Sequence, residues 1–94
     1  MKWNVYIITN KKNGVLYIGE TKNLKRRIYQ HKNKVHPTTF SARYDLDKLV
    51  YFESHKIESE AKLREKQLKK WNRDWKIELI EKMNPNWTDL YNDL

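Results

Sequence analysis

The sequence predicts an α+β fold, a small and largely antiparallel three-stranded sheet flanked by helices. Two observations support this class. Segments rich in β-branched and aromatic residues alternate with turn-forming residues, and two later segments carry apolar residues at helical spacing. The chain of 94 residues has the length of one domain with one modest hydrophobic core, so we expect a single domain over residues 1–94.

The first two predicted strands form a hairpin. Residues 3–9 (Trp3-Asn4-Val5-Tyr6-Ile7-Ile8-Thr9) are typical of a strand, and residues 15–19 (Val15-Leu16-Tyr17-Ile18-Gly19) of its return strand. Between them, Asn13-Gly14 supplies residue types that accept positive φ. The hairpin therefore places Tyr6 and Tyr17 on neighbouring antiparallel strands.

A first helix is predicted to start at Thr21 or Asn23, either of which can cap it, and to run to Lys32. Helical spacing puts two apolar and two functional side chains on one stripe, namely Leu24, Arg27, Ile28 and His31. Residues 33–39, which include a proline, are expected to form a loop.

A third strand is predicted over residues 48–53, while residues 40–47 fit no single element type. A second helix opens at Ile57 or Ser59 and runs to Trp71. One of its sides holds Ala61, Arg64, Glu65, Leu68 and Trp71.

A third helix is predicted around residues 75–82, where Asn84-Pro85-Asn86 stops it. We expect Trp87 and Tyr91 to pack the C-terminal segment back onto the domain. The sequence shows no internal repeat and no low-complexity tract.

The charge of the chain favours polyanionic partners. It has 20 lysines and arginines against 12 aspartates and glutamates, a formal net charge of +8. Nucleic acid is therefore the first candidate partner. The alternative is that the charge only keeps a small protein dissolved, since composition alone names no function.

The chain has no cysteine, which excludes disulfides, zinc–thiolate sites, iron–sulfur clusters and thiol nucleophiles. Any metal must therefore bind oxygen or imidazole ligands. No apolar stretch has the length of a secretory signal or a membrane span. We expect a cytoplasmic protein with no membrane partner.

The order of these motifs resembles the GIY-YIG nuclease domain. Asn4-Val5-Tyr6 stands where that family has Gly-Ile-Tyr, Tyr17-Ile18-Gly19 is the second motif, and residues 20–27 continue toward the family's arginine. The resemblance covers nearly the whole chain and is strongest to small stand-alone bacterial members related to the N-terminal nuclease domain of UvrC. It includes residues 49–53 and 64–71. Where the family has its first glycine, asparagine is the mildest substitute if positive φ is needed.

The resemblance implies a metal-dependent DNA endonuclease that hydrolyses phosphodiester bonds with one metal ion, in DNA repair or recombination. The implied catalytic residues are Tyr6, Tyr17, Arg27, His31 and Glu65. Tyr6 is the candidate general base or its immediate relay, although a phenol acts as a base only if a cation favours the phenolate. Tyr17 would bind the phosphate or orient the water, and the two tyrosines are not ranked.

The other three residues have roles that suit their chemistry. Arg27 would stabilise the charge that accumulates on the phosphoryl oxygens. His31, one helical turn later, would hydrogen-bond the phosphate or shuttle a proton. Glu65 would hold one Mg²⁺ or Mn²⁺ ion, with waters and substrate phosphate completing its ligands.

Further basic side chains are expected to position DNA phosphates rather than read bases. They are Lys22, Lys25, Arg26, Lys32 and Arg43. DNA is the expected partner. Family members commonly take their choice of cleavage position from attached modules, which leaves room for a protein partner that targets this chain.

Each of these residues also has a simpler explanation. The tyrosines would be half-buried packing residues, Arg27 a solvated charge, and His31 a cation at a helix C-terminus. Glu65 would pair with Lys69 on the helix surface, worth only ~0.3 to 0.5 kcal/mol.

Two other classes of protein compete with the nuclease. A non-catalytic nucleic-acid-binding module would keep the scaffold and cut nothing, so metal-dependent strand scission separates it from the nuclease. A basic protein-interaction domain would lack the steep salt dependence that phosphate contacts give to binding.

Overall fold

The computed structural model describes residues 2–94 and contains a three-stranded antiparallel sheet in the order β2-β1-β3. The strands are β1 (Trp3–Thr9), β2 (Leu16–Thr21) and β3 (Lys48–His55). The helices are α1 (Leu24–Lys32), α2 (Phe40–Arg43), α3 (Glu58–Lys70) and α4 (Arg73–Met83), and a short 3-10 helix spans Tyr91–Asp93. The predicted α+β class, with three antiparallel strands flanked by helices, is confirmed.

The hairpin between β1 and β2 has the predicted strands but uses its turn residues differently. Asn13 takes the positive φ, at 58°, whereas Gly14 does not have a positive φ. A Cβ atom on Gly14 would instead collide with Asn10 Oδ1, which accepts a hydrogen bond from Val15 N at 3.0 Å. Gly14 is therefore needed for close packing of the turn rather than for an unusual backbone angle.

The sheet is the middle of three layers, because alternate side chains of each strand point to opposite faces. One face packs against α3 and α4 in a core formed by Val5, Ile7, Ile18, Val50, Tyr51, Ala61, Leu68, Ile80 and Trp87. The other face packs against α1 in a core formed by Tyr6, Ile8, Leu24, Ile28, Leu46 and Leu49. Tyr91 packs at the margin of this second core, so the C-terminal segment folds back as predicted.

Side-chain caps define two of the helix starts. Asn23 Oδ1 accepts from Arg26 N at 3.1 Å, which selects Asn23 as the cap of α1. Asn72 Oδ1 accepts from Trp75 N at 2.9 Å, so α4 starts at Arg73, two residues before the predicted start. Within residues 2–94, no helix is long and apolar enough to cross a membrane.

Candidate active site

Tyr6 lies on the central strand with its side chain in the α1-facing core, where the residue is 1% exposed. Gly19 stands directly opposite it on β2. A Cβ atom at position 19 would lie 2.5 Å from the Tyr6 hydroxyl oxygen, closer than real contacts allow. The glycine of the Tyr17-Ile18-Gly19 motif thus provides the space that the Tyr6 hydroxyl occupies.

The Tyr6 hydroxyl contacts two side chains of α1. His31 Nε2 lies 2.9 Å from the hydroxyl oxygen, and Arg27 Nε donates to the same oxygen at 3.4 Å. Arg27 and His31 are one turn apart on the sheet-facing side of α1, as the stripe of the sequence predicts. Beyond the site, His31 Nδ1 lies 2.9 Å from Ser41 Oγ.

Burial, reinforced by the positive charge of Arg27, lowers the pKa of His31 to about 4. The imidazole is therefore neutral near pH 7, with one nitrogen protonated. Arg27 is a pure donor to the Tyr6 oxygen, so we assign the Tyr6 proton to the hydrogen bond with His31 Nε2. In this tautomer, His31 Nδ1 carries the ring proton and donates a hydrogen bond to Ser41 Oγ.

Burial raises the pKa of Tyr6 to about 12, although the hydrogen bond and charge of Arg27 act in the opposite direction. The phenol therefore keeps its proton at neutral pH. A phenolate would form only if a cation favoured it, and here burial outweighs the cation that is present. The geometry suits a proton relay from Tyr6 to neutral His31 better than a standing phenolate.

Tyr17 connects this group to α3. Its ring centroid lies 5.9 Å from that of His31, and the ammonium of Lys69 lies 5.9 Å from the Tyr17 centroid. Lys69 Nζ is also 3.6 Å from Glu65 Oε1. The charge of Glu65 contributes to the raised pKa of Tyr6. Four of the predicted residues are thus in direct proximity, and Glu65 joins them through Lys69.

Glu65 has the donor chemistry that a hard divalent cation needs. Its side chain is 23% exposed, and the ammonium of Lys69 is too distant for a hydrogen bond. Among residues 2–94, no group of three or more acidic or histidine side chains is arranged to hold a metal ion. A metal at Glu65 would therefore take most of its ligands from water and phosphate, as Mg²⁺ commonly does.

The predicted DNA-contacting residues differ in their surroundings. Lys22 and Arg26 line a shallow cleft together with Arg27, while Lys25 and Arg43 are exposed. Lys32 is different, because its ammonium is paired with Asp89 and donates to Asp47 O at 2.8 Å. The ion pair joins α1 to the C-terminal segment, and the sequence did not predict this intramolecular role of Lys32.

Two further residues, Ser41 and Lys69, touch the site, and the charge of a third, Glu20, acts on Arg27. Ser41 bonds His31 from a segment whose structure the sequence left open, so nothing signalled it. For Lys69 the sequence did offer a signal, because it follows Glu65 by four residues, one helical turn. Glu20 holds Lys62 at 3.0 Å through Oε1, while its buried Oε2 has no hydrogen-bond partner within residues 2–94.

Comparisons with known proteins identify the family and the fold. A family model described as the GIY-YIG catalytic domain matches residues 2–78. A UPF0213 protein of Clostridium perfringens is 41% identical over 76 residues, which are 81% of this chain and 80% of that protein. The solution NMR structure of a UPF0213 protein from Bacillus halodurans matches with a TM-score of 0.57 at 26% identity. That match covers 95% of this chain and 93% of the other, and the range of the family model contains all five predicted catalytic residues.

Proposed function

Because the chain belongs to the GIY-YIG catalytic domain family, we propose that it is a metal-dependent DNA endonuclease acting in DNA repair or recombination in the cytoplasm. One observation carries the proposal. The Tyr6 hydroxyl is buried between Arg27 Nε and His31 Nε2, an arrangement that packing alone does not require. A buried hydroxyl with a donor on one side and a neutral imidazole on the other is suited to move a proton.

The proton path starts at the attacking water. In the proposal, Tyr6 Oη accepts a proton from this water as its own proton passes to His31 Nε2. Ser41 orients the imidazole through Nδ1. The pathway needs neutral His31, which its lowered pKa provides over the whole neutral range. Neither residue has to carry a charge before the substrate is bound.

Arg27 is the proposed electrostatic group. Within residues 2–94, its guanidinium is held only by long hydrogen bonds of 3.4 Å, to Tyr6 and Gln30, so its other N–H groups can bind phosphate oxygens. The hydrogen bond with Tyr6 raises the pKa of Arg27 further, so its charge is permanent. Tyr17 lies on the same face of the sheet, and its hydroxyl would donate a hydrogen bond to the phosphate.

Glu65 is the proposed metal ligand, and Mg²⁺ or Mn²⁺ the proposed ion. Bound there, the ion would neutralise charge on the phosphate and on the departing oxygen. Lys22, Lys25, Arg26 and Arg43 are the proposed phosphate-positioning residues of the surrounding surface. A protein partner that selects the DNA is also part of the proposal.

The test is cleavage of a panel of labelled flap, fork, nicked and plain duplex DNAs with Mn²⁺, with Mg²⁺ and with chelator. We expect cleavage with either metal and none with chelator. Glu65→Gln should abolish cleavage and keep most DNA affinity, because the amide keeps the shape and loses the charge. Glu60→Gln is the matched control, an exposed carboxylate on the same helix.

Arg27→Ala should lower the rate by a factor of ~10² to 10³, since it removes a fixed donor to the developing charge. Its neighbour Arg26→Ala, which is exposed on the same helix, should lower affinity and change the rate little. If the parent binds the whole panel and cuts no member with either metal, the non-catalytic binding module is the better description.

A further inference from the structure

A cavity of about 260 Å³ extends from the candidate active site toward α2. Tyr17, Arg27 and His31 line the part that belongs to the site already described. Phe40 and Ala42 line the part contributed by α2. The cavity therefore joins the candidate active site to a space with an aromatic and an apolar wall.

Phe40 has a position that packing does not explain. The residue is 48% exposed and belongs to neither hydrophobic core of the part of the chain that the structure describes. Tyr44, which does not line the cavity, packs against the Phe40 ring with centroids 4.7 Å apart. On the cavity side, the Tyr17 centroid lies 6.4 Å from that of Phe40. The ring is thus supported from within the chain while it remains exposed.

The cavity also carries a charge suited to phosphate. Arg27 lines it at the candidate site, and Lys34 and His36 line it as well, although the Lys34 ammonium is paired with Asp45. A guanidinium and an exposed aromatic ring in one cavity match the two parts of a nucleotide, a phosphate and a flat base. A small apolar molecule would leave the guanidinium unused, whereas a phosphate alone would leave the aromatic wall unused.

We propose that Phe40 and the adjoining cavity form a subsite for one nucleobase next to the scissile phosphate. The proposal rests on the proposed function, because Arg27 and Tyr17 must hold that phosphate. The base would stack on the Phe40 ring, with Tyr44 bracing the ring. A base reaches such a subsite only when it leaves its own stack, which costs least where it is already unpaired.

The experiment measures binding of a short oligothymidylate and of its fully abasic counterpart in chelator, where no cleavage interferes. Phe40→Ala should weaken binding of the oligothymidylate by roughly 5- to 100-fold, the loss typical of one base–aromatic stack. It should leave the abasic strand unaffected, because that strand keeps the phosphates and lacks the bases. Phe40→Trp should retain binding, since it keeps a stacking face.

Tyr29→Ala is the matched control, because Tyr29 is 54% exposed on α1 and does not line the cavity. We expect this variant to bind both strands as the parent does. Equal losses on both strands for Phe40→Ala, or no loss on either, would overturn the subsite, as would a parent that binds neither strand. A parent whose binding depends on Phe40 and on bases, but which cuts no DNA, would retain the subsite and refute the nuclease.

Discussion

Gly19 is the residue whose replacement separates site geometry from stability. Gly19→Ala places a methyl group against the Tyr6 hydroxyl, so we expect it to displace that hydroxyl and abolish cleavage. Overpacking of this kind should also cost about 1 to 3 kcal/mol of unfolding free energy. Cleavage rate and chemical denaturation measure the two effects.

Gly14→Ala is the control for this prediction, since its added methyl group would also collide, but with Asn10 in the hairpin turn. It should lower stability and retain the cleavage rate of the folded fraction. A Gly19→Ala variant that cuts like the parent would show that the position of the Tyr6 hydroxyl is not needed.

His31 gives the protein a pH-dependent stability whose sign can be stated. Its pKa of about 4 in the folded protein lies below the ordinary histidine value of 6.5, so acid favours the unfolded state. The unfolding free energy should therefore fall as pH drops from 6.5 toward 4, by about 1 to 2 kcal/mol once solvent screening is allowed for. Above pH 6.5 this contribution is constant.

Denaturation of the parent and of His31→Gln at several pH values between about 4 and 7 isolates this effect. The variant lacks the titrating group, so its stability should decline less over that range. Parallel curves for the two proteins would mean that His31 titrates normally in the folded state.

The order and spacing of the motifs were enough to name five candidate residues, and the structure brings Tyr6, Tyr17, Arg27 and His31 together. The sequence was not sufficient to predict their ionisation. Whether Tyr6 is a phenol or a phenolate depends on its burial and on its distance from Arg27, which only the fold defines. Ser41 was missed for the same reason, since it reaches His31 through tertiary structure.

At the scale of elements, α3 matters most because it carries Glu65. A carboxylate on β3, Glu53, fixes this helix by accepting from Arg64 Nε at 3.1 Å, and it also accepts from the Tyr51 hydroxyl of its own strand at 2.6 Å. Burial alone would raise the pKa of Glu53, but these hydrogen bonds and that of His55 lower it below its usual value. The two later segments of the resemblance, 49–53 and 64–71, meet in this contact.

Glu53→Gln should lower the unfolding free energy by about 1 to 3 kcal/mol, because Arg64 would then lack its charged acceptor in a partly buried place. Chemical denaturation at neutral pH measures this change. Glu60→Gln, an exposed change on α3, should alter stability by less than about 0.5 kcal/mol. If the two variants are equally stable, the interaction of Glu53 with α3 contributes nothing.

Element types were more predictable than element ends. The three longer helices and the three strands follow from the periodicity of apolar residues, which form the two cores on either face of the sheet. The start of α4 was predicted too late because Asn72 was not recognised as its cap. The short α2 has too few residues for a periodic pattern, so only tertiary structure identifies it.

We expect DNA affinity to depend on where the positive charges lie and not only on the net charge of the chain. Lys22→Ala with Lys25→Ala should make the slope of log affinity against log salt shallower by about 1 for each phosphate that is no longer bound. Lys76→Ala with Lys82→Ala on α4 removes the same two charges from the formal +8. DNA titrations over a range of salt concentrations compare the two pairs.

Only the first pair should change the slope, because α4 packs on the sheet face opposite Tyr6 and α1. Equal changes for both pairs would mean that DNA responds to net charge and recognises no particular face of the protein.

The measurement that tests the account most directly is the single-turnover cleavage rate of Tyr6→Phe beside that of Tyr51→Phe. Both tyrosines are buried, and burial raises the pKa of each to about 12, but they lie on opposite faces of the sheet. Tyr6→Phe should cut at least ~10²-fold more slowly, since it removes the proton relay. Tyr51→Phe should stay close to the parent. A Tyr6→Phe variant that cuts at the parental rate, or two variants that slow equally, would contradict a reaction centred on the hydroxyl between Arg27 and His31.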